Sequence, residues 1–324
     1  MNFPISWPDV VDARRRIAGH LSPTPLRRYA DLDAAVGCGI RVWVKHENHL
    51  PTNAFKARNA LAIISSLSAE QRQRGVVAAT RGNHGQGLAW AGQVLGCPVT
   101  VCVPLGNNPE KNAAIRGLGA TLIEAGHDYD SAVDVAATLV ADRGLTLAHS
   151  TNHPQVIAGA ATLSAEICEQ AATLDAIVVA VGGGSQAVGA LVAASQLRPE
   201  LAVFGVQAQG AAAIHDSWHA RQPRTTERAD TIADGLATRG TYELTFAALR
   251  DGLRGFVAVP DRAITDAIRL LWRTTHNAAE GAGAAGLAGL ISLRETLAGK
   301  SVAVILSGSN IDGPTLARVL AQEL

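Results

Sequence analysis

Short apolar runs, each followed by a stretch with apolar residues at helical spacing, recur through most of this chain and restrict its fold more than any other feature. Gly75–Thr80 (GVVAAT), Val99–Val103 (VTVCV), Thr121–Glu124 and Leu145–Ala148 read as strands, and helical patterns run to about Leu95, over Pro109–Leu118 and over Asp130–Asp142. Strands separated by helices pair in parallel through right-handed crossovers, so this part predicts a small parallel sheet. A second set holds helix 154–171, Ala176–Val181 (AIVVAV), helix 187–197, Ala202–Val206, Phe256–Val259, helices near 261–275 and 279–296, Val302–Leu306 and helix 312–323, with a long irregular region through 219–236. Ahead of both, a helical stretch spans Val10–Ala18, and a strand at Ile40–Val44 (IRVWV) precedes a helix over Ala54–Leu67. The expected class is α/β with two open parallel-sheet domains. Composition shifts little along the chain, so the boundary near residue 150 rests on topology.

Charge narrows the partners. Twenty-eight basic and twenty-eight acidic side chains give a formal charge of zero, whereas nucleic acid or an anionic membrane requires a basic face. A small metabolite fits better. No apolar run approaches membrane-spanning length, and MNFPISWPDV has neither a basic n-region nor an apolar h-region, so a cytoplasmic location is expected. Cys38, Cys97, Cys102 and Cys168 are scattered without metal or disulfide spacing and are expected to be buried small residues.

The stretch KHENHLPTNAFKARNA (45–60) crosses from strand end to helix start, the place where open α/β sheets hold ligands. Pro51 supplies a turn and Thr52 a candidate N-cap, which places Phe55, Lys56 and Arg58 in the first turns of the helix. Only four lysines stand beside twenty-four arginines, so a lysine here calls for a reason. A desolvated lysine amine loses its proton near neutral pH and attacks carbonyls, which Arg cannot do. The alternative is an ordinary surface lysine at a helix start, where the macrodipole disfavours it.

Three further loops carry chemistry. In RGNHGQG (81–87), Asn83 and His84 offer hydrogen bonds at a helix N-terminus that favours anions, although a capped helix with a packing glycine is the plainer alternative. VGGGSQAVG (181–189) puts three glycines between a strand and a helix, a candidate phosphate nest that matches neither G-x-G-x-x-G nor GK[ST]. SGSN (307–310) sets Ser307 at a strand end, and Glu280 opens EGAGAAG as a helix-terminal charge or a ligand contact. Asp234 in ADGLA reads as a turn former.

In that order, these motifs resemble the fold type II enzymes that use pyridoxal 5′-phosphate (PLP), specifically the serine/threonine dehydratase (threonine ammonia-lyase) family, related to serine racemase. The likeness runs from about residue 20 to the end. It implies a tryptophan synthase β-like arrangement with the cofactor in the cleft between the domains: residues 1–70 and 150–324 as a large PLP-binding domain, 71–149 as a small substrate-loop domain. ENHLPTNAFKARNA is similar to the family's E-x-x-x-P-T-G-S-F-K-x-R-G-A, which implies that Lys56 forms the Schiff base with PLP and Phe55 contacts the cofactor. TRGNHGQG resembles S-S-G-N-H-x-Q-G; Asn83 is then expected to bond the ring hydroxyl, and Thr80, Gly82 and His84 with nearby amides to bind the substrate carboxylate. Gly182, Gly183, Gly184 and Ser185 match the phosphate loop, Ser307 the partner of the pyridine nitrogen, and Glu280 a position near the ring. A homodimer is expected on the family's habit.

Departures from the family pattern carry information. Arg81 stands where serine racemase has the serine that returns a proton to the opposite face, so racemisation by that route is not expected. Gln207, Ala208 and Ala213 remove the charges of the family's metal site, so no metal is expected. Asn53, Ala54 and Asn59 replace Gly, Ser and Gly around the lysine, and Ser185 with Gln186 replaces Gly-Leu. The chain stops after the catalytic region, so isoleucine feedback is not expected. The expected reaction removes water from a 3-hydroxy amino acid such as L-threonine or L-serine, giving a 2-oxo acid and ammonia. Arg81 raises the alternative of a substituted substrate such as 3-hydroxyaspartate, its guanidinium pairing a second carboxylate, and phenylserine stays open. A non-catalytic amino-acid-binding module keeps the loops without needing Lys56. A nucleotide-dependent dehydrogenase lacks its fingerprint here.

Overall fold

The computed structural model describes residues 2–127 and 129–324. Its strands are β1 (Leu26–Arg28), β2 (Arg41–His46), β3 (Val76–Ala79), β4 (Val99–Val103), β5 (Thr121–Glu124), β6 (Thr146–Leu147), β7 (Ala176–Ala180), β8 (Ala202–Ala208), β9 (Gly255–Val259) and β10 (Ser301–Leu306). They form a six-stranded sheet ordered β1-β2-β10-β7-β8-β9 and a four-stranded sheet ordered β5-β4-β3-β6. Every pairing is parallel except β1 with β2, where Leu26 faces Lys45 at the sheet edge. Helices cover both faces of parallel sheets, and β3, β7 and β10 are accordingly buried along their whole length.

Helix Lys56–Ser66 is the shared element. It packs on helix Asn83–Leu95, which follows β3, and on helix Pro154–Gln170, which precedes β7. Two glycines permit the approach: a Cβ on Gly87 would lie 2.8 Å from the Lys56 carbonyl oxygen, and one on Gly159 2.8 Å from that of Arg58. Arg58, Lys45, Glu47 and Glu166 are buried together behind this helix. Arg58 Nε donates to Glu47 Oε2 at 2.7 Å, Arg58 Nη1 to Glu166 Oε1 at 2.6 Å, and Lys45 Nζ to Glu166 Oε2 at 2.6 Å. Two cations and two carboxylates thus balance, which a dry interior requires of buried charge. Burial opposes the Arg58 charge, but attraction by Glu47 and Glu166 outweighs it and raises its pKa. Lys56, the first residue of the helix, lies two positions before the Arg58 anchor.

Thr52 is not the N-cap. The helix begins at Lys56 with Phe55 in the cap position and no side-chain bond, while the Thr52 hydroxyl is buried without a partner among the described residues. Asn53 takes φ +53°, a left-handed conformation that Gly adopts freely and Asn tolerates. That explains physically how Asn can stand where the family pattern has Gly. Strand β1 and helices Ala30–Val36, Ala69–Arg74, Ala213–Ala220 and Glu243–Gly252 were not anticipated, and Cys38 is exposed rather than buried.

Candidate active site

The lysine segment is stitched to the end of β10. Phe55 N–H donates to the Ser307 carbonyl at 2.9 Å, Ser309 N–H to the Asn53 carbonyl at 2.9 Å, and Ala54 bridges Gly308. This carries Lys56 inward. Its Nζ donates to the Ser150 carbonyl at 3.0 Å and lies 4.9 Å from the centre of the Phe55 ring. No carboxylate pairs with it among the described residues, and burial pushes its pKa down to about 8. An amine in that state is a nucleophile near neutral pH.

Opposite stands the turn that leads from β3 into helix Asn83–Leu95. Thr80 is buried, and its hydroxyl accepts weakly from Gly82 N–H at 3.3 Å. His84 Nε2 lies 2.7 Å from the Ala148 carbonyl, so Nε2 carries the proton, and Nδ1 is buried with no partner among the described residues. Burial first, then the nearby Lys56 charge, pushes the His84 pKa down to about 3, leaving the ring neutral. Asn83 Nδ2 donates to Glu280 Oε1 at 2.5 Å, and Asn83 Oδ1 accepts from Asn310 Nδ2 at 2.7 Å. Burial raises the pKa of Glu280 even against the Lys111 charge and the Asn83 bond. The exposed Arg81 side chain has no ion-pair partner among the described residues.

The third wall is the loop after β7. Gly184 takes φ +99° as the cap of helix Ser185–Leu197. A Cβ on Gly182 would overlap the Gly235 carbonyl, and one on Gly183 the Thr151 side chain. The Gly183 carbonyl accepts from the Thr245 hydroxyl at 2.8 Å and that of Gly182 from Thr238 at 3.4 Å. The N–H groups of Gly182 to Gln186 have no acceptor among the described residues. Uncommitted amides at the N-terminus of a 13-residue helix form an anion nest.

Phe55, Lys56, Thr80, Arg81, Gly82, Asn83, His84, Gly182, Gly183, Gly184, Ser185, Glu280 and Ser307 all line one cavity of about 710 Å³, a size typical of cofactor sites. The sequence did not single out Lys111, Thr151 and Tyr242 in the same wall, nor Asn310 behind it. Lys111 carried a signal as one of four lysines, and Asn310 as the last residue of SGSN. The residues fit a phosphorylated aldehyde on both counts: an amine of depressed pKa for the carbonyl and bare amides for the phosphate.

An amine facing an anion nest across a cleft between two parallel sheets defines an enzyme that holds its cofactor by both ends. Residues 17–308 match the family described as pyridoxal-phosphate dependent enzyme. The chain belongs to that family, within its serine/threonine dehydratase group, and its cofactor is PLP. It is 35% identical over 320 residues to the L-threonine ammonia-lyase of Thermotoga maritima, covering 99% of this chain and 79% of that one. It is 32% identical to the L-threo-3-hydroxyaspartate ammonia-lyase of Saccharomyces cerevisiae, covering 98% and 96%. The structure of maize serine racemase superposes with a TM-score of 0.93 at 29% identity, covering 99% of this chain and 98% of that chain.

Proposed function

We propose that this protein is a PLP-dependent dehydratase that removes water from a 3-hydroxy amino acid such as L-threonine or L-serine, releasing a 2-oxo acid and ammonia. The observation that carries the reading is the half-buried Lys56 amine, without a carboxylate partner among the described residues, in one cavity with the Gly182–Gln186 loop. Residues 1–70 and 150–324 hold the cofactor in this reading, and 71–149 supply the substrate loop.

Bound PLP supplies an electron sink for the pair released at the substrate Cα. Lys56 Nζ, an amine that is neutral near its lowered pKa, would remove the Cα proton of the bound substrate. The Thr80 hydroxyl and the first amides of helix Asn83–Leu95 take the substrate carboxylate. His84 contributes its backbone N–H rather than its ring, because Nε2–H is committed to Ala148 and Nδ1 can only accept. Glu280 and Asn310 fix the amide plane of Asn83, whose second N–H would be left for the ring hydroxyl. Ser307, a hydroxyl just beyond the end of β10, would partner the pyridine nitrogen and would hold a proton there less firmly than a carboxylate does. Phe55, which lines the same cavity, would contact the cofactor. Loss of the 3-hydroxyl leaves an enamine, which is hydrolysed to the 2-oxo acid and ammonia. Replacing Lys56 with Ala is expected to abolish both 2-oxo acid release and the visible absorbance of bound cofactor; retained turnover overturns the assignment.

Arg81 favours a second reading, in which the preferred substrate carries an anionic side chain, as in 3-hydroxyaspartate. Arg81 lines the cavity, and its exposed side chain makes no ion pair among the described residues. Release of 2-oxo acid across threonine, serine, hydroxyaspartate and phenylserine, in wild type and Arg81→Ser, decides between the readings: a fall confined to hydroxyaspartate supports the second. Within the proposal the protein is a cytoplasmic homodimer. The family's habit supports the dimer, and four cysteines without a disulfide suit a reducing compartment.

A further inference from the structure

Three of the four lysines have evident places. Lys45 belongs to the buried ion network, Lys56 faces the cavity, and Lys300 lies on the surface beside Asp175. Lys111 does not fit the helix it sits in. It occupies the first turn of helix Pro109–Gly117, where the macrodipole opposes a cation, so helix stability does not explain it. Its stem lies against the bare Cα of Gly82: a Cβ there would fall 2.9 Å from Lys111 Cδ. Its Nζ crosses the cleft and donates to Asp234 Oδ2 at 2.8 Å. Asp234 opens the short 3-10 turn Asp234–Leu236, and the carbonyl of the next residue, Gly235, closes over Gly182. One line of contacts therefore runs from the Gly82 turn through Lys111, Asp234 and Gly235 to the phosphate cradle.

We propose that Lys111 is a positioning residue that clamps the Gly82 turn onto Asp234, so that the cradle and the carboxylate-binding turn are set in register by one ion pair across the cleft. This rests on the assignment of residues 80–84 to the substrate carboxylate. The side chain is only 13% exposed. Burial works against its charge, but the attraction of Asp234, with Glu280 and Asp312 behind it, outweighs that and raises its pKa. The ammonium persists through neutral pH. Asp234 is 56% exposed, so the pair is partly screened and its effect modest.

The test uses the holoenzyme and L-2-aminobutyrate, which is threonine without its hydroxyl and so binds without losing water. Its Kd is read from the change in cofactor absorbance for wild type, Lys111→Met, Asp234→Asn and the double variant. Each single change is expected to weaken binding about twofold to fivefold, and the double variant no further than the worse single one, since both remove the same pair. KM for the hydroxy amino acid rises in parallel while kcat changes less, and Lys111→Arg restores most of the loss. An unchanged Kd in either single variant, or losses that add in the double one, overturns the proposal. Asp234→Asn, isosteric and at an exposed position, keeps the test decisive should Lys111→Met not fold. If wild type itself gives no absorbance change with L-2-aminobutyrate, the assignment of the turn fails, and the clamp with it.

Discussion

The cradle at Gly182–Ser185 and the turn at Thr80–His84 face each other across one cavity, yet they are held in place by different physics. The cradle is fixed by contact. Backbone and short side chains from the 3-10 turn Asp234–Leu236, from Thr151 and from Thr245 fill the space where Cβ atoms would stand. The turn is fixed by reach, since its neighbours are the ends of long or polar side chains: the Lys111 stem at Gly82, and the Glu280 and Asn310 side chains at Asn83. Close-packed backbone has nowhere to move, whereas a side chain can swing aside and re-form its bond. The geometry therefore gives the part expected to hold a permanent cofactor a rigid wall, and the part expected to admit and release substrate an adjustable one.

That contrast is broken most severely at Gly182. Gly182→Ala drives a methyl into the Gly235 carbonyl, and with no flexible atom to yield, cofactor retention is expected to fall at least about a hundredfold and stability by about 1–3 kcal/mol. The measurements are a PLP titration of the apo-protein and a urea melt; wild-type retention would show that the cradle adjusts. The matching change on the other wall, Gly82→Ala, meets first the flexible Lys111 side chain. Folding and PLP affinity are expected to survive, while KM for the amino acid rises about tenfold, a loss on the order of 1.4 kcal/mol in binding. If Gly82→Ala loses cofactor as readily as Gly182→Ala, the two walls are not different in kind.

A pH series sharpens the comparison from the lysine between them. With Lys56 held down to about 8 by burial, capture of PLP by apo-protein is expected to quicken as pH rises through 8 and then level. Borohydride trapping on Lys56 measures it, and a midpoint near the ordinary lysine value of about 10.4 overturns the desolvation argument. The stability of the apo-protein carries the same sign. Folded Lys56 releases its proton earlier than unfolded Lys56, so between about 8 and about 10.4 the unfolded chain binds more protons. Stability from this group therefore rises with pH across that window and is flat below it. His84, pushed down to about 3, contributes nothing in the same range.

Legibility in the sequence follows local pattern rather than rigidity: well-read elements lie on both sides of the cavity. Strands β4 and β5 and helix Asp261–Thr275 have the limits read from apolar runs and helical period alone, because those segments are short, well bounded and strongly patterned. The glycines of the cradle are legible because close contact admits no other residue. Strand β1 escaped because it holds only three residues beyond Pro25, and helices Ala213–Ala220 and Glu243–Gly252 because each buries few side chains and adjoins the irregular stretch around 221–242. In the site, the missing members are partners. Lys111 and Asp234 are 123 residues apart, Asn83 and Asn310 227, and no local period records a bond between side chains so distant. The resemblance drew attention to Asn83 and Glu280, but the bond that joins them had to be found in space.

The smallest expected effect tests the polar half of the contrast: polar groups hold a structure only where they find partners. Asn59, one turn beyond Lys56, is fully buried, and neither its Nδ2 nor its Oδ1 has a partner among the described residues. An amide stripped of water without a compensating bond costs about 1–3 kcal/mol, roughly what its buried volume returns. Asn59→Ala is therefore expected to leave stability within about 1 kcal/mol of wild type, with any shift upward, because Ala also favours the helix. Leu61→Ala, on the same helix and equally buried, is expected to lose about 2–5 kcal/mol by the ordinary cavity argument. Urea melts of the two variants side by side decide the matter. A loss at Asn59 as large as that at Leu61 would mean that the amide is bonded, through an ordered water between helix Lys56–Ser66 and its neighbours, and that the lysine helix is held by reach as well as by contact.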